Sequence, residues 1–259
     1  MDQRLHTAER VARAAGALVR DMLGSHMHIH AKDVRSNLVT EADTRSEALI
    51  RQMIADEFPA DAVLGEEGGT TTGSGTGRWI VDPLDGTTNY AHGYRCFSVS
   101  IAFEKDGVVL VGAVYDPMAD EMYRAERGSG AMCNGNRLGV SGCSDLRDAL
   151  VVTGFPPIRD EEAIPNFRTM ERFMHRAQAV RRDGSAALDL CYVAAGRFDG
   201  FWEAGLHAWD IAAGALIVSE AGGHVTDYAG LPLRIDCGEL LATNALVHDA
   251  MLEVLRAGD

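Results

Sequence analysis

Lysine is nearly missing from this chain. Only Lys32 and Lys105 stand among its 24 basic residues, the rest being arginine, a bias that fits genome composition better than chemistry. Net positive charge is missing as well: 38 acidic residues against 24 basic ones leave a formal charge of -14. A general nucleic-acid or anionic-membrane surface needs the opposite sign, to release counterions or attract lipid headgroups. Neither partner is expected, whereas small cations are.

A disulfide framework is also excluded. The five cysteines (Cys96, Cys133, Cys143, Cys191 and Cys237) are odd in number, form no CxxC pair and sit within or beside apolar runs, which points to a reduced compartment. The opening MDQRLHTAERVARAAGALVRDML has no uninterrupted apolar core of the signal-peptide kind, and no later run approaches a membrane span; a cytoplasmic location is expected. Proline is scarce, at 7 residues, and no repeat or low-complexity tract breaks the chain. With 46% hydrophobic residues among 259, the sequence can bury one large core or two closely packed halves.

What is there alternates between helix and strand. Leu5, Ala8, Val11, Ala12, Ala15, Leu18, Val19 and Met22 recur at helical spacing and predict an amphipathic first helix. A second helix is predicted after Thr40, a capping residue. Between them HMHIHAKDVRSNLV alternates with period two and predicts a hairpin or strand. AVLGEEGG reads as a short strand running into a loop, and GGTTTGSGTGR as a mobile connection whose glycines match no phosphate-binding pattern. SVSIAFEKDGVVLVGAVYDP gives two strands joined by EKDG, a hairpin signal, so an antiparallel sheet is expected in the first half. In the second half, strands LVVTGF, AVRR, FDGFWE, GHVTD and ELLATN interleave with helices near 163–177, 186–196, 210–221 and 245–257, which predicts α/β layering. One domain over 1–259 is expected, with sub-structures 1–142 and 143–259 sharing an interface.

The chemistry starts at WIVDPLDGTTNYAHG. Its apolar run stops at Asp82 and Asp85, which flank Pro83-Leu84, and the proline forces the chain to turn at a set place. Two carboxylates and a carbonyl at one turn suit a hard divalent cation such as Mg²⁺, and the N–H groups of Gly86-Thr87-Thr88 suit a phosphate if they open a helix. An ordinary acidic turn with an aspartate cap explains this stretch equally well. Further acids stand at element ends: Glu66 and Glu67 in GEEGG, Asp43 in LVTEAD, Asp210 in HAWDIAAG. Each has an everyday explanation, solvated acids for the glutamates and helix caps for the aspartates. Together, in a chain without a thiol or histidine ligand pattern, they form the set a multi-Mg²⁺ phosphatase needs.

The ordered series GEE, WIVDPLDGTTNYAHG, GSAALDLCYVAAGRFDGFWE and WDIAAG resembles the inositol monophosphatase family, in its bacterial branch: lithium-sensitive, Mg²⁺-dependent phosphomonoesterases related to fructose 1,6-bisphosphatase. The resemblance spans nearly the whole chain. It implies an α+β fold, a layered α-β-α-β-α sandwich, commonly assembled as a homodimer. It implies one metal held by Glu66, Asp82 and the Leu84 carbonyl, a second by Asp82, Asp85 and Asp210, and a third sharing Glu66. Water would be activated by Glu66 and by Thr87 paired with Asp43, phosphate would meet the Gly86 and Thr87 N–H groups, and a polyol would meet Asp85, Gly184, Ser185, Ala186 and Glu203.

The expected substrate is therefore inositol monophosphate. Histidinol phosphate, fructose 1,6-bisphosphate or a 3'-phosphonucleotide are alternatives with the same chemistry, and regulatory binding to transcription or RNA machinery, known among bacterial relatives, is an alternative of another class. The chain departs from the family at Asn37, where an acid often precedes LVT, and at Ser185, where animal members carry threonine. His26, His28 and His30 read as solvated strand residues, Arg181 and Arg182 as surface partners of local acids, and His92 and His207 as structural residues beside the motifs. Trp79, Trp202 and Trp209 are expected to pack around the site as core aromatics.

Overall fold

A computed structural model describes residues 3–24, 29–31, 38–156 and 166–257. The expectations for His26, His28 and Asn37 lie outside them. The helices are α1 (Gln3–Met22), α2 (Glu41–Glu57), α3 (Thr87–Ala91), α4 (Asn166–Met174), α5 (Ala186–Ala194), α6 (Ala208–Glu220) and α7 (His248–Arg256). The first strands, β1 (Ile29–Ala31) and β2 (Leu38–Thr40), pair antiparallel with each other, as the period-two reading predicts.

The larger sheet has eight strands, in the order β10-β9-β8-β7-β6-β5-β3-β4. They are β3 (Ala62–Gly65), β4 (Gly69–Thr70), β5 (Gly77–Asp85), β6 (Ser98–Lys105), β7 (Val108–Asp116), β8 (Glu121–Glu126), β9 (Gly130–Cys133) and β10 (Asn136–Arg137). The smaller has the order β12-β11-β13-β15-β14, built from β11 (Leu150–Thr153), β12 (Ala179–Arg181), β13 (Gly200–Ala204), β14 (His224–Thr226) and β15 (Glu239–Thr243).

The two sheets make the layers. Helices α1 and α2 cover one face of the large sheet, α5 and α6 fill the space between the sheets, and α4 and α7 close the far side of the small one. This is the α-β-α-β-α sandwich of the sequence reading. The central layer explains the composition of α6, AWDIAAGALIVSE, whose Ile211 to Val218 are all buried: a helix between two sheets has no solvated face to keep polar. The same argument makes β5 buried at eight of its nine positions, since helices lie on both faces. Close approach is bought with glycine at Gly16, where a Cβ would stand 2.4 Å from the Tyr115 ring, so that α1 can lie on β7.

Three expectations need correction. The first-half sheet is mixed rather than antiparallel, because β3 and β5 pair in parallel, Val63 opposite Trp79. The chain leaves β3, folds back as β4 on the sheet edge, and returns past Ala60 to enter β5 on the other side. Secondly, the Gly/Thr-rich connection is tied down: Thr71 donates to the Val63 carbonyl at 2.8 Å and Gly75 to Ala60 at 2.9 Å. Thirdly, Trp79 and Trp202 are core aromatics as expected but do not pack around the site. Trp79 packs with Phe58 and Phe103 under α1 and α2, and Trp202 stacks on Phe173 in the opposite outer core. Trp209 is half-buried and stacks on His207, centroids 4.7 Å apart.

One buried histidine carries a pH prediction. His248 is 2% exposed, with Thr243 Oγ1 at 2.9 Å from Nδ1 and Thr226 Oγ1 at 3.1 Å from Nε2. Burial first, and His224 beside it second, push its pKa down to about 4. The neutral ring is therefore favoured in the fold. Its contribution is complete above the ordinary value of about 6.5 and is lost as pH falls from there towards 4. Thermal melts of wild type and His248→Asn should differ most at pH 7, with the wild-type lead shrinking by pH 4; a constant gap would refute this.

Candidate active site

The turn at the end of β5 is a β-bulge. Asp82 lies opposite Ser100 and Asp85 opposite Ser98, so three steps on β5 match two on β6. In a regular strand residues three apart face opposite sides; the extra residue resets that parity and brings both aspartates to one side. Pro83 suits the position because a bulge asks for no ladder N–H there, and the Ser46 hydroxyl secures its carbonyl at 2.9 Å. The Leu84 N–H donates to Asp82 Oδ1 at 3.0 Å, while the Leu84 side chain is wholly buried near Val19, Tyr90 and Phe97.

Asp210 joins the pair from α6. One oxygen from each of Asp82, Asp85 and Asp210 lies within 4.8 Å of the other two. Asp210 is not the cap itself but the third residue of its helix, where its carboxylate accepts the His207 N–H at 2.6 Å. Asp43 repeats the arrangement on α2. Its Oδ2 takes the Thr40 N–H at 2.9 Å and hydroxyl at 2.5 Å, which closes a capping box, and its Oδ1 takes the Thr87 hydroxyl at 2.9 Å. The capping explanation and the functional one thus hold together: each aspartate starts its helix and reaches the site.

Asp85 is held from behind. Its Oδ2 accepts the Ser185 hydroxyl at 2.5 Å and the Ala187 N–H at 2.9 Å, so α5 also meets the site with its first turn. Ser185 is fully buried, and this hydroxyl supports Asp85. Gly86 follows at φ 96°, the left-handed region that favours glycine, and a Cβ there would stand 2.9 Å from the Cys96 carbonyl and 3.2 Å from that of Gly184. The first turn of α3 thereby lies against the Gly184 loop. Glu203, on β13, is buried, and Gly154 beside it leaves room for its carboxylate. His92 and Arg182 are exposed.

Asn89, inside the WIVDPLDGTTNYAHG motif, has a bridging role that its sequence context does not reveal. Its side-chain amide donates to Cys96 O and to Asp183 O, both at 2.7 Å, and so bridges α3 to the 183–186 segment. The only signal in the sequence is a polar residue three positions after Gly86.

The electrostatics ask for a cation. Burial first, then Glu66, Asp85 and Asp210, push the Asp82 carboxyl well above the usual range. Burial likewise raises Asp85 to about 7, with the Ser185 hydrogen bond opposing and Asp210 adding. Burial raises Glu203 too, helped by Asp210 and Asp85. Carboxylates crowded in this way either take up protons or surround a metal. An all-oxygen donor set selects Mg²⁺-like ions over soft ones, so these residues fit such an ion. A cavity of about 580 Å³, lined by Arg78, Val109, Arg127 and Leu216 among others, contains none of them.

Known proteins share this fold. Residues 1–257 match the model of the inositol monophosphatase family. A curated relative, Nus factor SuhB of Pseudomonas aeruginosa, is 42% identical over 264 residues, covering 99% of this chain and 97% of that protein. Inositol monophosphatase from Anabaena superposes with a TM-score of 0.88 at 41% identity, covering 98% of this chain and 95% of that one. An IMPase/NADP phosphatase complexed with Mg²⁺ and phosphate gives 0.81 at 26% identity, over 93% and 90% of the two chains. With a mixed two-sheet sandwich and its acidic centre on the same frame, this chain belongs to the inositol monophosphatase family.

Proposed function

We propose that the protein is a Mg²⁺-dependent phosphomonoesterase that cleaves inositol monophosphate to inositol and phosphate. The observation that carries this reading is the convergence of Asp82, Asp85 and Asp210 within 4.8 Å, next to a Thr87–Asp43 pair. Glu66, Asp82 and the Leu84 carbonyl would hold one ion, Asp82, Asp85 and Asp210 a second, with a third sharing Glu66. Bound there, Mg²⁺ acidifies water and neutralises the charge that develops on the attacking and leaving oxygens.

The chain's own groups do the rest. Asp43 accepts the hydrogen bond of the Thr87 hydroxyl, which leaves the lone pairs of Thr87 Oγ1 to orient the attacking water, and Glu66 is the acceptor for the water's proton. The N–H groups of Gly86 and Thr87, first in α3 and without intrahelical partners there, receive phosphate oxygens. Asp85, the Gly184–Ala186 segment and Glu203 face the polyol; a buried carboxyl such as Glu203 rejects a leaving group that offers it no hydroxyl.

We read residues 1–259 as one phosphatase unit, because α5 and α6 form a core common to both sheets. Lithium inhibition, a homodimer and a cytoplasmic location belong to the same proposal. A second reading, regulatory association with transcription machinery, is favoured by the name of the Pseudomonas relative. Phosphate release from inositol 1-phosphate, histidinol phosphate, fructose 1,6-bisphosphate and 3'-phosphoadenosine 5'-phosphate, with and without Li⁺, tests the assignment. Preference for the inositol ester supports it. Preference for another moves the substrate while keeping the chemistry, and silence on all four turns attention to the regulatory role.

A further inference from the structure

Helix α2 meets the site along one face. Asp43, Ser46 and Glu47 follow at the i, i+3, i+4 spacing that aligns side chains on a helix. Asp43 binds Thr87 and Ser46 binds the Pro83 carbonyl. Glu47, 3% exposed, turns to the loop that carries Glu66: its Oε2 accepts the Glu67 N–H at 2.8 Å and its Oε1 the Gly68 N–H at 2.7 Å. One turn later, Arg51 Nε donates to Glu47 Oε1 at 2.7 Å, and Arg51 Nη2 donates to the Gly69 carbonyl at 2.6 Å. The loop backbone lies so close that a Cβ on Gly65 would stand 2.7 Å from Glu47 Oε2, and one on Gly68 2.6 Å from Oε1. Both glycines of the GEEG stretch are thus shaped to the Glu47 carboxylate and its Arg51 partner.

We propose that Glu47 is a positioning residue for Glu66. Its carboxylate receives the backbone immediately after Glu66 and packs against the glycine immediately before it, so both flanks of Glu66 are referred to the helix that also places Asp43. The proton acceptor and the Thr87–Asp43 pair then share one rigid element. Two N–H donors and the Arg51 guanidinium hold the Glu47 carboxylate in place. The inference rests on the phosphatase reading only in assigning Glu66 to the metal.

Mn²⁺ binding to the metal-free full-length protein, followed by electron paramagnetic resonance, tests it without any substrate. Glu47→Gln keeps the volume but replaces one acceptor oxygen with a donor that faces an N–H. It is expected to weaken the tightest Mn²⁺ site by about 10-fold or more, the usual cost of losing a residue that orients a ligand. The Mg²⁺ needed for half-maximal hydrolysis should rise by a similar factor, with KM for the ester at saturating Mg²⁺ unchanged. Gly68→Ala, which pushes the intact carboxylate away, should shift Mn²⁺ affinity in the same direction.

Ile54→Val trims a buried core side chain two turns further along the same helix. It should lower the melting temperature while moving Mn²⁺ affinity much less. Unchanged Mn²⁺ affinity in both Glu47→Gln and Gly68→Ala overturns the proposal, as does an equal shift in Ile54→Val, which would reduce Glu47 to a structural staple. If the wild type hydrolyses no ester while Glu47→Gln still weakens Mn²⁺, the phosphatase reading fails and this one stands. Hydrolysis with Mn²⁺ affinity indifferent to Glu47 gives the reverse.

Discussion

Asp82→Asn will silence the enzyme and stabilise the metal-free protein at once. Asp82 is 1% exposed and belongs to both proposed ion sites, so losing its charge should cut kcat/KM by at least about 10³-fold, the scale of removing one preorganised electrostatic group. The amide has nearly the same shape, and the fold has no reason to collapse. What it removes is repulsion: burial together with Glu66, Asp85 and Asp210 raises the Asp82 pKa, which means the charged form destabilises the empty site. An acid with a raised folded pKa makes the protein less stable as pH rises through the interval between the unfolded and folded values. The variant's gain in melting temperature should therefore be largest near pH 8 and vanish near pH 4, where the wild type already carries the proton. A gain on the order of 1 kcal/mol corresponds to about 2–4 °C in a chain of this size. Differential scanning calorimetry in EDTA, paired with phosphate release, reads both effects. A variant that is inactive and also less stable at pH 8 would place Asp82 in the architecture and not in a cation site.

Mg²⁺ should raise the melting temperature steeply, and more at high pH than at low. A ligand present at 100 times its Kd stabilises the native state by about 2.7 kcal/mol when the unfolded chain does not bind; at the conversion above this is roughly 5–10 °C. Protons compete for the same oxygens. Asp85, raised to about 7, binds a proton across the range from its ordinary value upwards, so the metal-free protein loses stability as pH climbs from 4 to 7. The ion reverses that loss, and the curve with Mg²⁺ should be nearly flat where the curve in EDTA descends. Melting temperatures that ignore Mg²⁺ at pH 8 would remove the metal from the proposal. In Asp82→Asn the Mg²⁺ shift should shrink to a small remnant.

Much of this site could be read along the chain because its parts are local. Thr40 before an amphipathic run, Pro83 between two aspartates and glycine after them act over two or three residues, and the structure places the helix start and the turn where those residues put them. The hairpin at EKDG is local in the same way, with Asp106 and Gly107 at positive φ. The bulge was not legible. Nothing in DPLD says that β6 will take two steps against three, yet that count is what lets Asp82 and Asp85 meet. The parallel entry of β5 beside β3, the tethering of the Gly/Thr-rich connection to Ala60 and Val63, and the bridge made by Asn89 all join segments distant in sequence or in different layers. Glu47 was hidden for another reason. On a helix an exposed glutamate and a buried one look alike until the neighbouring loop is known.

Four helices begin at this site: α2 with Asp43, the short α3 with Gly86 and Thr87, α5 with Ser185 and Ala187, and α6 with Asp210. Their opposite ends lie elsewhere. A helix that delivers its chemistry from the first turn can gain or lose residues in its last without moving a reacting atom. For an engineer this divides the molecule into a side that tolerates insertion and a side that does not. The exposed junction at Gly222 after α6, at positive φ with open space around it, is where a tag, a sensor domain or a permuted terminus belongs.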